Sequence, residues 1–89
     1  MEVGESEPGM KNDLALALSG QGKHEEAELY AREAVGELPE SWSYHETLAQ
    51  VLKAASKKEE AEKELKAARE LATKAGQLED FKEMTRTRK

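Results

Sequence analysis

An internal repeat constrains the fold of this chain more than any other feature of its sequence. The segment KHEEAE at 23–28 returns as KKEEAE at 57–62, so that position 23 corresponds to position 57. Aligning 11–38 on 45–72 without gaps gives nine identities in 28 positions, where unrelated segments of ordinary composition give about two or three. Such a period indicates stacked copies of one supersecondary unit. Outside that segment, the identical positions are Leu14, Ala15, Leu18 and Ala34, which recur as Leu48, Ala49, Leu52 and Ala68.

Each unit contains two helical patterns separated by a turn. In the first unit an apolar stripe at i, i+1 and i+4 is typical of an amphipathic helix. Gly20-Gln21-Gly22 then interrupts the helix, because glycine permits turn geometry and lowers helix stability. A second stripe follows and ends at Pro39, which disfavours helix at the residue before it. That stripe consists of Ala27, Tyr30, Ala31, Ala34, Val35 and Leu38.

The second unit repeats this pattern and is followed by one more helix. Ser41 is a suitable N-cap for the third helix, and Ser56 for a fourth from about Lys57 to Ala75. Gly76, just past that helix, reads as a C-terminal stop. A short fifth helix is predicted from Leu78 to about Thr85.

The composition agrees with an all-helical chain. Alanine and leucine dominate the apolar residues, whereas the aromatic residues that favour strands are only 4% of the chain. We therefore predict an all-α fold of antiparallel helix–turn–helix repeats with about five helices. The expected organisation is a disordered acidic segment at 1–9, repeats at 10–41 and 42–75, and a capping helix with a basic tail at 76–89.

A 34-residue helix–turn–helix unit with small residues at fixed places resembles the tetratricopeptide repeat, an α-solenoid family. The family pattern is W-x2-L-G-x2-Y, then A-x3-F, another small residue and a closing proline. The first unit offers Lys11-x2-Leu14-Ala15-x2-Leu18, Ala27-x3-Ala31, Ala34 and Pro39; the second offers His45-x2-Leu48-Ala49-x2-Leu52, Ala61-x3-Leu65, Ala68 and Thr73. The chain departs from the pattern at the tryptophan position, held by Lys11 and His45, and at the final Thr73.

The resemblance implies where helices approach each other closely. Helices packed 8–10 Å apart need small side chains at the contact. Leu78 and Phe81 are expected to cap the exposed side of the second unit, while nothing comparable covers the first. The small residues expected within units are Ala15, Ala49, Ala27 and Ala61, and those expected between units are Ala34 and Ala68.

Several functional classes are not expected. The chain has no cysteine, which excludes a disulfide framework, a thiolate zinc site and a cysteine nucleophile. Its longest apolar run, 14–18, is far shorter than the ~20 residues of a membrane-spanning helix. The net charge is −5, with 14 basic and 19 acidic residues, which disfavours nucleic-acid binding. The acidic first residues do not resemble a secretory signal, so a cytoplasmic protein is expected.

The residues that could bind a metal or take part in catalysis have simpler structural interpretations. His24 and His45 lack a second ligand at metal spacing, and Ser41 near His45 is better explained as a helix cap than as a nucleophile. Gly20 and Gly22 follow no strand, so they are turn residues and not a phosphate cradle. We therefore expect no enzyme activity, no metal and no cofactor.

The resemblance implies a binding function, because stacked units form a concave surface lined by the first helix of each unit. The partner would be a protein or peptide, and no tight grip on a C-terminal carboxylate is expected because no cationic pair lies at these positions. An alternative is a homodimer through the uncovered face of the first unit, with Met10, Leu16 and Trp42 at the interface. A third interpretation is a stretch of a longer repeat array. The concave-face residues are Asn12, Leu16, Ser19, Ser43, Glu46, Gln50 and Lys53.

Overall fold

The structure, a computed structural model, describes the backbone of residues 8–87 and the side chains of 9–85. Within this range the chain is all-α and contains no strand. Short connections join the helices, and such connections place consecutive helices antiparallel. The predicted fold class is therefore confirmed. The helices are α1 (Pro8–Gly20), α2 (His24–Glu37), α3 (Trp42–Ala54), α4 (Lys58–Lys74) and α5 (Leu78–Thr87).

The start of α1 differs from the sequence prediction. The helix begins at Pro8, before the expected start at Met10. Proline suits the first turn of a helix, since its fixed φ is already helical and its missing N–H would have no intrahelical acceptor there. The rest of the segment predicted as disordered, 1–7, lies outside the described residues.

Three of the helices end in the same hydrogen-bonded turn, with a left-handed residue just after the helix. These residues are Gly22, Ser56 and Gly76, with φ of 83°, 68° and 73°. In each turn the N–H of the following residue donates to a carbonyl in the last turn of the helix, which is the Schellman arrangement. The N···O distances are 2.9 Å for Lys23 to Leu18, 2.8 Å for Lys57 to Leu52 and 2.7 Å for Gln77 to Ala72.

The prediction that Ser56 caps α4 is wrong. Ser56 belongs to the turn that ends α3, where it occupies the position that Gly22 holds in the first unit. The N-cap of α4 is Lys57, which provides no side-chain hydrogen bond. Ser41, in contrast, does cap α3, because its Oγ accepts the Tyr44 N–H at 3.4 Å.

The main core lies between the two helical pairs, with α3 at its centre. This helix packs against α1, α2 and α4. All six alanines predicted at helix contacts are buried, with exposed fractions of 6% or less. Small side chains thus allow the close helix packing that the sequence indicated. The buried residues of this core are Ala15, Ala27, Ala31, Leu48, Val51, Leu52 and Ala61.

A second, smaller cluster attaches α5 to the side of the second unit. Phe81 is 6% exposed and packs with Ala68 and Ala72 of α4. The Trp42 ring meets Phe81 edge-on, with centroids 5.9 Å apart and planes at 79°, a favoured aromatic geometry. The Trp42 Nε1–H also donates to Gln77 Oε1 at 2.7 Å. α5 therefore packs against the second unit through this cluster.

Candidate functional site

The predicted binding residues lie on α1 and α3, which contact each other in the fold. Gln50 and Lys53 are exposed. Four others are half-buried, so parts of their side chains reach the surface. These four are Asn12, Leu16, Ser19 and Ser43.

Glu46 does not fit the prediction of an open binding surface. It is 4% exposed, and the neighbouring Thr47 is 2% exposed. The physical reason is the central position of α3, which packs against three helices, whereas α1 packs mainly against α2 and α3 among the described helices. Glu46 is engaged within the protein, so it is removed from the candidate contact residues.

Asn12 carries a polar atom with no partner. Its Oδ1 is buried and accepts no hydrogen bond from any described residue. Leaving a buried acceptor without a donor costs about 1–3 kcal/mol. Because this oxygen is buried, it is not part of the surface that a partner can reach, although Asn12 as a whole is half-buried.

The group formed by Ser41, Ser43 and His45 is arranged for helix capping and packing. Ser41 Oγ lies 3.2 Å from Ser43 Oγ and accepts the N–H at the start of α3. His45 Nδ1 lies 2.7 Å from Glu64 Oε1, and its Nε2 lies 2.8 Å from the Pro39 carbonyl oxygen. The imidazole therefore links α3 to α4 and to the preceding turn, and both of its nitrogens face these acceptors instead of a serine hydroxyl.

His24 lies at the start of α2 and is half-buried. Its Nδ1 is buried and has no hydrogen-bond partner among the described side chains. Nowhere among the described residues is a group of three or more His, Cys, Asp or Glu side chains placed to hold a metal ion.

Ion pairs connect the two units along α2 and α4. Glu28 of α2 accepts from Lys57 Nζ at 2.9 Å and from Arg32 Nε at 2.8 Å. Arg32 also donates to Glu60 of α4 at 3.2 Å. The hydrogen bond from Lys57, together with Arg32, holds the pKa of Glu28 below its usual value, and the same contact raises the pKa of Lys57.

A second ion-pair group lies within the first unit. Lys11 Nζ of α1 contacts Glu37 and, at 3.4 Å, Glu33 of α2. The hydrogen bond to Glu37 is the main reason that the pKa of Lys11 is raised. Ion pairs of Lys11 therefore link the two helices of the first unit.

Within the described residues, the first unit has an uncovered apolar face on α1. Leu14 is 41% exposed, whereas Leu48, its equivalent in the second unit, is 1% exposed. Ala17 is likewise exposed, and its equivalent Val51 is fully buried. Met10, one helical turn before Leu14, is 63% exposed. The exposures differ because the helices of the first unit pack against α3 and cover Leu48 and Val51. No described helix precedes α1 to cover Leu14 and Ala17 in the same way.

A groove between α4 and α5 was not predicted from the sequence. It is an open depression of about 440 Å³, and its lining includes the apolar Leu65, which is 39% exposed. The repeat contained part of the signal, because the apolar Val35 of the first unit is replaced by Arg69 in the second. The lining residues are Glu62, Leu65, Lys66, Arg69, Phe81, Lys82 and Thr85.

Comparison with known proteins found no match to this chain among family models, curated proteins or solved structures. Within the described residues, no helix combines the length and the apolar character needed to cross a membrane.

Proposed function

We propose that this chain is a non-catalytic interaction module, similar to tetratricopeptide repeats, that binds a peptide segment of a partner protein across α1 and α3. The observation that carries the proposal is that the adjacent helices α1 and α3 present polar side chains at the surface, the half-buried Asn12 on α1 and the exposed Gln50 and Lys53 on α3. A partner segment lying across the two helices would exchange hydrogen bonds with these groups.

The neighbouring side chains suit recognition by shape and polar contacts. Leu16 and Ser19 follow Asn12 on α1 and are half-buried, so they offer a partly shielded apolar and hydroxyl surface. Gln50 and Lys53 are exposed on the adjacent helix α3, and their i, i+3 spacing places them next to each other on one helix face. With Glu46 buried, the basic Lys53 sets the charge of this end of the face, which favours an acidic or neutral segment.

The test begins with a defined ligand, because the natural partner is unknown. A phage-displayed peptide library is selected against the protein, and the Kd of an enriched synthetic peptide is measured by calorimetry. The double variant Gln50→Ala/Lys53→Ala is expected to weaken binding by about tenfold, at roughly 0.5–1 kcal/mol for each lost polar contact. Asn12→Leu, which removes the amide but keeps the size, is also expected to weaken it.

The matched control is Lys58→Ala/Lys63→Ala, which changes two exposed residues on α4. It should bind the peptide like the unmodified protein, and all variants should keep the same far-ultraviolet circular dichroism. An enriched peptide whose Kd is insensitive to Asn12, Gln50 and Lys53 would refute the choice of face.

A second candidate function is self-association through the uncovered face of α1. It is favoured by the exposed Met10 and Leu14, since large apolar residues at an open repeat end invite a covering surface. Trp42, which the sequence suggested for this interface, is instead half-buried against Phe81 in the smaller cluster. The interface would therefore be centred on Met10 and Leu14.

Sedimentation equilibrium over a hundredfold range of protein concentration distinguishes the two candidates. Self-association predicts a dimer that Leu14→Glu converts to a monomer, because a buried carboxylate in the interface is unfavourable. The control Leu29→Glu changes another exposed leucine, 57% exposed on α2, and should leave the dimer intact. A helical monomer at every concentration would exclude self-association.

A further inference from the structure

The groove between α4 and α5 can be compared with the packing between α2 and α3, a first groove in which Ala31, Leu48 and Val51 are no more than 1% exposed. The start of α4 packs mainly against α3 and also reaches α2 there, since Ala61 belongs to the same core cluster and Glu60 pairs with Arg32. The acidic start of a helix therefore lies against the first groove.

At the second groove, no described helix takes the place that α4 takes at the first. Leu65, the equivalent of the buried Ala31, is 39% exposed. Lys66, the equivalent of Arg32, is exposed and has no acidic partner among the described side chains, whereas Arg32 has Glu28 and Glu60. The second groove thus keeps the cation but has no acidic helix to pair with it.

The residues around Leu65 add further positive charge. Val35 is replaced in the repeat by Arg69, and the exposed Lys82 of α5 also lines the groove. Together with Lys66 they place three cations around Leu65, opposed in the lining only by Glu62. Within a chain of net charge −5, this local excess of positive charge favours an acidic ligand.

We propose that the groove between α4 and α5 binds an acidic amphipathic α-helix of a partner protein, which would lie against the groove as the acidic start of α4 lies against the first groove. An apolar ridge of that helix would contact Leu65 and Phe81. Its glutamates or aspartates would pair with Lys66, Arg69 and Lys82, as Glu60 pairs with Arg32. This is helix-in-groove recognition, on a surface separate from the α1–α3 face.

The probe is a fluorescein-labelled acidic peptide with one apolar stripe, Ac-EELAELLEELAEE-NH2, measured by fluorescence anisotropy with the full chain. The groove variant is Lys66→Glu/Arg69→Glu/Lys82→Glu, and it is expected to weaken binding at least about tenfold, as three reversed exposed charge pairs imply. The matched control is Lys58→Glu/Lys63→Glu/Lys74→Glu, which makes the same charge change at exposed α4 positions outside the groove lining. It should stay within about threefold of the unmodified protein, because exposed charges away from the site are screened by salt.

Three further measurements keep the test decisive. If the groove variant loses helicity, the milder Lys66→Gln/Arg69→Gln/Lys82→Gln replaces it, with loss of binding again expected. The peptide Ac-KKLAKLLKKLAKK-NH2 has the same apolar stripe and should not bind. Gln50→Ala/Lys53→Ala should leave the acidic peptide's affinity unchanged, which separates this groove from the α1–α3 face.

Any of the following results would overturn the proposal: no saturable binding of the acidic peptide, equal weakening by the groove and control variants, or equal binding of the lysine peptide. Tight binding of phosphatidylserine vesicles with the same dependence on the three cations would also overturn it. That outcome would mean that the groove recognises anionic surfaces in general and not a helix.

Discussion

Truncating the two equivalent leucines, Leu14 and Leu48, should have very different effects on folding. Leu48 is 1% exposed in the core, and Leu14 is 41% exposed on the open face of α1. Leu48→Ala removes buried carbons and leaves a cavity, which costs about 3 kcal/mol for a leucine of this kind. Leu14→Ala removes a partly solvated side chain and leaves no enclosed cavity, so its cost is about 1 kcal/mol.

The difference of about 2 kcal/mol is large for this chain. At roughly 0.05–0.15 kcal/mol per residue, a chain of 89 residues has a free energy of unfolding of about 4–13 kcal/mol. A difference of about 1 kcal/mol shifts the Tm of a domain this size by about 4–8 °C. Leu48→Ala should therefore unfold roughly 10 °C below Leu14→Ala.

Thermal unfolding followed by far-ultraviolet circular dichroism measures this difference, at low micromolar concentration so that association contributes little. Urea unfolding of the same variants gives the free energies directly, and an unchanged m value confirms that the native state has kept its compactness. Equal destabilisation by the two substitutions would refute the reasoning, because it would mean that the face of α1 is as well covered as that of α3. Destabilisation by Leu14→Ala that appears only at high protein concentration would instead support self-association.

Three further predictions concern individual contacts. Ser56→Gly should stabilise the chain by about 0.5–1 kcal/mol, since glycine adopts the left-handed conformation at φ 68° without strain; an unchanged or lower urea midpoint would contradict this. The lowered pKa of Glu28 means that its pairing with Lys57 stabilises the fold above the usual carboxyl range and is lost as pH falls through the lowered pKa. The Tm deficit of Glu28→Gln should therefore shrink in acid, and a deficit constant with pH would exclude this linkage. Trp42→Phe keeps an aromatic ring beside Phe81 but loses the 2.7 Å hydrogen bond to Gln77. Urea unfolding should therefore give a free energy of unfolding lower by about 1 kcal/mol. An unchanged free energy would mean that water replaces the bond at no cost.

Much of the fold could be predicted because its signals are local or repeat along the chain. Ser41 caps α3, the predicted alanines are buried, and Gly22 and Gly76 end their helices. Capping and turn geometry depend on a few consecutive residues, and the period of the repeat identifies the positions that must be small. These features could be predicted without knowing which helices pack together.

The candidate sites were harder to predict, because burial and solvent exposure depend on neighbours distant in sequence. Glu46 and Asn12 hold the same place in the two units, yet Glu46 is buried and Asn12 only half-buried, since α3 packs against three helices. Serine is a common N-cap residue, so the sequence predicts Ser56 as the cap of α4. In the fold it adopts the left-handed conformation of the turn that ends α3, because the chain reverses direction there.

The sequence by itself determined the all-helical class, the repeat and the small contacts between helices, because periodicity and residue size act over one or two turns. Only the tertiary structure decided that Leu14 is exposed while Leu48 is buried. It also decided that Leu65 lines a groove together with Lys66, Arg69 and Lys82. The physical reason is that equivalent residues of a repeat have similar local environments but different neighbours at the ends of the stack, and a side chain is buried only where another element covers it.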